Sequence, residues 1–104
     1  MKRWTVILSE LVQRQIDDQA MHIARHSIDN ALAWEARLDA AVQGLANLPG
    51  YGVDEDASAR LGYEVRKLVF EGTYLIHYRR DEQGGVVQVI NFRHGARLPR
   101  ATEP

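Results

Sequence analysis

Three β-rich runs separated by turns dominate the last third of the chain and limit the folds open to it. The runs cover about 63–70, 73–79 and 86–93, and both connections contain glycine, at Glu71-Gly72 and within 81–85. Runs of β-branched and aromatic residues bounded by such turns predict strands joined as hairpins. The sequence therefore predicts an antiparallel meander, whose apolar face needs a second layer of structure to bury it.

The first half of the chain carries a helical pattern. Ser9 and Ser27 are suited to cap helix N-termini, so we predict helices over about 10–25 and 28–48. The second helix has apolar residues at every third or fourth position, and Pro49-Gly50 ends it. These apolar positions are Ala31, Trp34, Leu38, Ala41, Val42, Leu45 and Leu48. A stripe of this kind predicts that this side of the helix is buried against the sheet.

Two further segments complete the predicted fold. The run 4–8 is β-branched and alternating, which predicts a short strand at the edge of the meander sheet. Residues 51–61 lack periodicity and contain Asp54-Glu55-Asp56, which predicts a solvated loop. The expected fold class is α+β in the order β-α-α-β-β-β, with a helical hairpin packed on an antiparallel sheet. One domain accounts for residues 1–97, and 98–104 form a short C-terminal tail.

Composition excludes several classes of protein. The chain has no cysteine, so it has neither a disulfide framework nor thiolate chemistry. The apolar run near the N-terminus is too short for a signal peptide, and no run approaches the ~18 apolar residues of a membrane-spanning helix. We therefore expect a cytoplasmic protein. His22 and His26 have the spacing of a metal-binding pair but lack a third ligand nearby, so we expect a surface role, no metal and no cofactor.

Charge is divided unevenly along the chain, although the formal net charge is only −1. Residues 1–65 contain six Lys and Arg against ten Asp and Glu, whereas residues 66–104 contain seven against four. A nearly neutral protein is poorly suited to strong non-specific binding of nucleic acid, which needs many phosphate contacts. The composition is still compatible with a local basic face formed by the C-terminal part.

The order of elements and several short motifs resemble the RelE/ParE toxin superfamily of bacterial type II toxin–antitoxin systems. The resemblance covers about 4–97, nearly the whole chain. It is carried by the opening strand running into Ser9-Glu10, and by Leu45-x-x-Leu48-Pro49-Gly50, Val65-Arg66-Lys67-Leu68, Gly72-x-Tyr74-Leu75-Ile76-x-Tyr78 and Val89-Ile90-x-Phe92-x-His94-Gly95-Ala96-Arg97. The resemblance implies a toxin that is neutralised by a cognate antitoxin.

Two branches of this superfamily imply different activities. RelE-like members are metal-independent endonucleases that cleave mRNA on the ribosome, whereas ParE-like members act on DNA gyrase. RelE-like members usually carry a C-terminal tyrosine or histidine as acid or base, and this chain has no tyrosine after Tyr78. It also has Tyr74 where RelE-type hairpins tend to place an arginine. We therefore expect a ParE-like toxin that inhibits gyrase, with an mRNA endonuclease or an inactive antitoxin-binding member as the alternatives.

Five residues are candidates for the functional site: Arg66, Lys67, Arg93, His94 and Arg97. Arginine binds phosphate through a planar, bidentate fork, so a phosphate-binding cluster is one interpretation. The same side chains could instead be solvated or pair with an acidic antitoxin segment. For a ParE-like toxin we expect them to contact a partner protein. For an endonuclease the same five would be catalytic, with His94 as the proton carrier because histidine titrates near neutrality.

Overall fold

A computed structural model describes residues 3–95, in which four strands and three α-helices follow the order β-α-α-α-β-β-β. The elements are β1 (Thr5–Leu8), α1 (Glu10–Ala24), α2 (Ile28–Gln43), α3 (Glu55–Leu61), β2 (Arg66–Phe70), β3 (Tyr74–Asp81) and β4 (Val86–His94). The predicted α+β class, with a helical hairpin packed on the sheet, is confirmed, and α3 is additional to the predicted order. The predicted tail, 98–104, lies outside the described residues.

Serine caps begin both helices of the hairpin at the predicted positions. The Val12 N–H donates to Ser9 Oγ at 3.1 Å, and the Asn30 N–H donates to Ser27 Oγ at 3.1 Å. Such a cap satisfies one of the free N–H groups at a helix N-terminus and typically contributes about 1 kcal/mol to stability. These two contacts fix the first residue of α1 and the first residue of α2.

The end of α2 differs from the prediction. The helix stops at Gln43, and a 3₁₀ turn, Gly44–Ala46, follows it directly. The tighter 3₁₀ turn changes the angular position of the side chains that follow. As a result Leu45 is fully buried, whereas Leu48 is 69% exposed. The prediction that Leu48 belongs to the buried stripe is wrong for this reason.

A short helix replaces part of the loop predicted for 51–61. Asp54 caps α3, because the Ala57 N–H donates to its Oδ1 at 3.1 Å. Gly62 ends the helix with a φ of 82°, a left-handed conformation that glycine adopts without steric cost. α3 has only seven residues, too few for a helical period to stand out in the sequence. The aspartate cap and the glycine are therefore its only strong sequence signals.

The sheet has the order β1-β4-β3-β2, so β1 lies at an edge as predicted. β2, β3 and β4 form the predicted antiparallel meander, and β1 runs parallel to β4. In the ladder between β3 and β4, His77 pairs with Asn91 and Tyr78 pairs with Val89. Ile90 is therefore an extra residue at which β4 bulges. Paired residues of neighbouring strands share a face, so this register decides which side chains lie together.

The hairpin of α1 and α2 covers one face of the sheet and forms the hydrophobic core with it. Its largest ring is Trp34, whose centroid lies 5.4 Å from Tyr74, 6.0 Å from Phe92 and 6.4 Å from Phe70. Trp34 and Leu38 are 3% and 2% exposed, which confirms their predicted burial. The opposite face of the sheet, which we term the open face, carries α3 along one side.

Candidate functional site

A cleft of about 380 Å³ lies on the open face, between α3 and the sheet. Its lining residues are Asp54, Asp56, Arg60, Lys67, Val69, Leu75, His77 and Arg93. Lys67 is paired with His77 in the ladder between β2 and β3. Leu75 is paired with Val69 on one side and with Arg93 on the other. The sheet register thus places cationic and apolar side chains beside one another, and this cleft is the candidate functional site.

The structure brings together two of the five predicted site residues and separates the others. Lys67 and Arg93 line the cleft. Arg66 and His94 are paired with two core tyrosines of β3, so they lie on the face that the helical hairpin covers. Arg97 lies outside the described residues. The four described members of the predicted cluster are therefore divided between two faces of the sheet.

Arg66 and His94 have partners of their own. Arg66 Nε lies 3.2 Å from Oε1 of Glu64, and Arg66 Nη1 donates to the Tyr51 carbonyl oxygen at 2.5 Å. The His94 ring centroid lies 5.0 Å from that of Tyr74. These contacts hold both side chains away from the cleft, and their contact with a partner protein stays a prediction.

Four polar residues of the cleft are absent from the predicted set: Asp54, Asp56, Arg60 and His77. Arg60 belongs to α3, which replaces part of a predicted loop. Asp54, expected in a solvated acidic loop, is instead paired with a buried histidine: His77 Nε2 lies 2.7 Å from Asp54 Oδ2. His77 is only 6% exposed. The strand period gives a signal for it, because a residue two positions after Leu75 must share its face.

A chain of hydrogen bonds reaches His77 from α1 and fixes its tautomer. It starts at the Phe92 N–H, which donates to Gln15 Oε1 at 2.9 Å. Gln15 Nε2 donates to Asn91 Oδ1 at 3.1 Å, which leaves Asn91 Nδ2 facing His77 Nδ1 at 3.5 Å. Because an amide nitrogen only donates, Nδ1 accepts and the ring proton is on Nε2, which donates it to Asp54. Because the Phe92 N–H can only donate, it fixes the orientation of the Gln15 amide, which in turn fixes that of the Asn91 amide.

This series of hydrogen bonds gives His77 a structural role. Its Nδ1 is engaged by Asn91 and its Nε2 by Asp54, so neither nitrogen is free to exchange a proton with a bound ligand. Asp54 in turn caps α3. The ring therefore connects the sheet to the first turn of α3 and positions the wall of the cleft.

The Asp54 carboxyl has a pKa below its ordinary value of 3.8. Partial burial raises the pKa, but hydrogen bonds from His77 and from the Ala57 N–H, together with the nearby positive charge of Lys67, outweigh burial. A carboxyl whose pKa is lowered by folding stabilises the protein above its unfolded-state pKa, and this contribution is lost as the pH falls through the folded-state pKa. The contribution of Asp54 is therefore complete at neutral pH and disappears in acid.

Two substitutions separate the helix cap from the contact with His77. We expect Asp54→Asn to lower the free energy of unfolding by about 1–2 kcal/mol at neutral pH, and Asp54→Ala by about 2–4 kcal/mol. Asparagine caps helices as well as aspartate does, so only Asp54→Ala also loses the cap. Urea unfolding at neutral pH and below about pH 3 measures both costs, and the cost of Asp54→Asn should shrink in acid. An undiminished cost there would show that the carboxylate charge is not what stabilises the contact.

Within residues 3–95, no group of three or more histidine, aspartate or glutamate side chains is arranged to hold a metal ion. The histidine pair, His22 and His26, is exposed, with ring centroids 6.2 Å apart. None of the helices in the same part of the chain is long and apolar enough to cross a membrane.

A comparison with known protein families gives a match over most of the chain. The family model described as the ParE toxin of the type II toxin–antitoxin system, parDE, matches residues 6–99. The matched span contains all three α-helices and the whole meander, including the cleft. No curated protein sequence matches the chain. The predicted resemblance to the RelE/ParE superfamily, and to its ParE-like branch, is confirmed. The chain belongs to the ParE toxin family of type II toxin–antitoxin systems.

Proposed function

We propose that this toxin inhibits DNA gyrase in the cytoplasm and is neutralised by a cognate antitoxin. The observation that carries the proposal is the family match over residues 6–99. Membership of the family implies an antitoxin partner, and resemblance to the ParE-like branch implies gyrase as the target. The proposed mode of action is binding to a protein complex, which needs a shaped and charged surface rather than a proton carrier.

The arrangement of the histidines supports binding over proton-transfer chemistry. His77 has both ring nitrogens engaged, and His94 lies on the face away from the cleft. The chain also has no tyrosine after Tyr78. Within residues 3–95, the histidines that could carry a proton for an endonuclease of the RelE type therefore do not converge on Lys67 and Arg93. A binding role accounts better for these two cations.

The test measures two activities of the purified toxin: inhibition of supercoiling by gyrase and cleavage of mRNA on the ribosome. We expect the wild type to inhibit supercoiling and to leave mRNA intact. His94→Gln removes proton transfer but keeps some hydrogen bonding, so it should inhibit like the wild type. Arg97→Ala should weaken inhibition by about tenfold, the effect of losing one charge-assisted hydrogen bond.

Arg25→Ala is the matched control, because Arg25 is exposed at the end of α1 and its loss changes the net charge equally. It should inhibit as the wild type does, and added antitoxin should abolish inhibition by all of these proteins. Loss of general acid–base catalysis lowers the rate of a reaction by about 10²–10⁴-fold. If the wild type cleaves mRNA, His94→Gln does not, and no protein affects supercoiling, the endonuclease alternative is correct and gyrase inhibition is not.

A further inference from the structure

The cations of the cleft lack the ion pairs that several other arginines form. Those pairs are Arg37 with Glu71 at 2.6 Å, Arg66 with Glu64 at 3.2 Å, and Arg80 with Glu64 and Glu82, both at 3.7 Å. Within residues 3–95, the side chains of Arg60, Lys67 and Arg93 form neither an ion pair nor a hydrogen bond. Three such cations, from α3, β2 and β4, line one cleft.

The carboxylates of the cleft cancel only part of this charge. Asp54 already accepts hydrogen bonds from His77 and from the Ala57 N–H, one on each oxygen. Asp56 is exposed in the first turn of α3, where the partial positive charge of the helix N-terminus stabilises it. The cleft therefore holds three cations against two carboxylates, Asp54 and Asp56, and this net positive balance favours an anionic ligand.

An apolar wall lies beside the cations. Val69 is 48% exposed on the edge strand β2, and Leu75 is paired with it on β3. The volume, about 380 Å³, falls within the range of about 300–1,000 Å³ that is usual for small-molecule sites. A ligand with an anionic group next to a flat, largely apolar group matches this combination. Nucleotides have both, since a phosphate is attached to a sugar that carries a stacking base.

We propose that this cleft binds the phosphate of a nucleotide, with the sugar or base against Val69 and Leu75. Arg60 and Arg93 each provide a planar fork of donors for phosphate oxygens, and Lys67 provides a point charge. The nucleotide is either free or part of a single strand, because both present the same group. An acidic peptide fits less well, since its carboxylates follow one another along a chain while these cations surround one cavity. The inference does not depend on gyrase being the target.

Titration of the 104-residue chain with adenosine 5′-monophosphate and with adenosine tests recognition of the phosphate, and changes in NMR chemical shifts report binding. We expect the monophosphate to bind at least about tenfold more tightly than adenosine, because adenosine lacks the charged acceptor. A short single-stranded oligothymidylate in the same titration distinguishes the two sources. Tighter binding of the oligonucleotide assigns the cleft to a strand, and tighter binding of the monophosphate assigns it to a free nucleotide.

Charge-removing variants locate the site. Lys67→Ala and Arg93→Ala should each weaken phosphate binding by about tenfold. Arg14→Ala removes the same charge from an exposed position on α1 and should change binding less than about twofold, as an effect of net charge alone. An equal loss in Arg14→Ala, equal affinity for adenosine, or no binding by the wild type would overturn the proposal. So would a glutamate-rich peptide that binds more tightly than both phosphate ligands.

Discussion

Leu38→Ala is expected to lower the free energy of unfolding by about 2–5 kcal/mol. Leu38 is 2% exposed and lies one helical turn after Trp34 on the buried side of α2. Both belong to the core cluster between the helical hairpin and the sheet. Truncation removes the apolar contacts of the side chain and leaves a cavity that a close-packed core fills only in part.

Leu32→Ala is the matched control, because it makes the same change in the same helix at a side chain that is 60% exposed. Its cost should stay within about 0.5 kcal/mol. Urea unfolding followed by tryptophan fluorescence measures both variants, with an unchanged slope confirming that the unfolded state is comparable. Equal midpoints for the two variants would show that α2 does not dock on the sheet through this side.

The parts of the fold that sequence patterns predicted well are those set within single elements. Ser9 and Ser27 act as caps through groups only three residues away, so their effect is local. The meander follows from runs of β-forming residues and the turns between them, which also need no distant contact. The early end of α2 coincides instead with tertiary contacts of the 3₁₀ turn, since Leu45 is fully buried and the Trp4 N–H donates to the Ala46 carbonyl oxygen at 2.8 Å.

The composition of the cleft depends on how elements are placed against one another. Arg66 and Lys67 are neighbours on β2, and adjacent residues of a strand point to opposite faces. The same holds for Arg93 and His94 on β4. The strand period alone therefore forbids a cluster that contains both members of either pair on one face. Which member lies in the cleft follows only from the sheet register.

The wall formed by α3 is harder to predict for a second reason. It brings Asp54 to His77, which is 23 residues further along the chain. A seven-residue helix has too little periodic pattern to be recognised, and nothing local to Asp54 indicates a histidine partner. Arg60 reaches the cleft only because this helix forms and is held against the open face.

Tyr78→Phe is expected to lower the free energy of unfolding by about 2–4 kcal/mol, although it removes only one oxygen atom. Tyr78 is fully buried, and its Oη donates to the Pro49 carbonyl oxygen at 2.9 Å and accepts from the Tyr51 N–H at 3.1 Å. The hydroxyl thereby satisfies two backbone groups in the connection between α2 and α3. Phenylalanine leaves both without their partner, and an unpaired buried polar group costs about 1–3 kcal/mol.

Tyr74→Phe is the matched control, because it makes the same change in the same strand where Oη only accepts from Gln19 Nε2 at 3.3 Å. Its cost should be about 0.5–1 kcal/mol by urea unfolding.

Burial raises the pKa of Tyr78 above its ordinary value of 10.0. Stability from such a group is present below the unfolded-state pKa and is lost as the pH rises through the folded-state pKa. The cost of Tyr78→Phe should therefore shrink above about pH 10. Equal costs for the two variants at neutral pH would show that the Tyr78 hydroxyl does not hold this connection on the sheet.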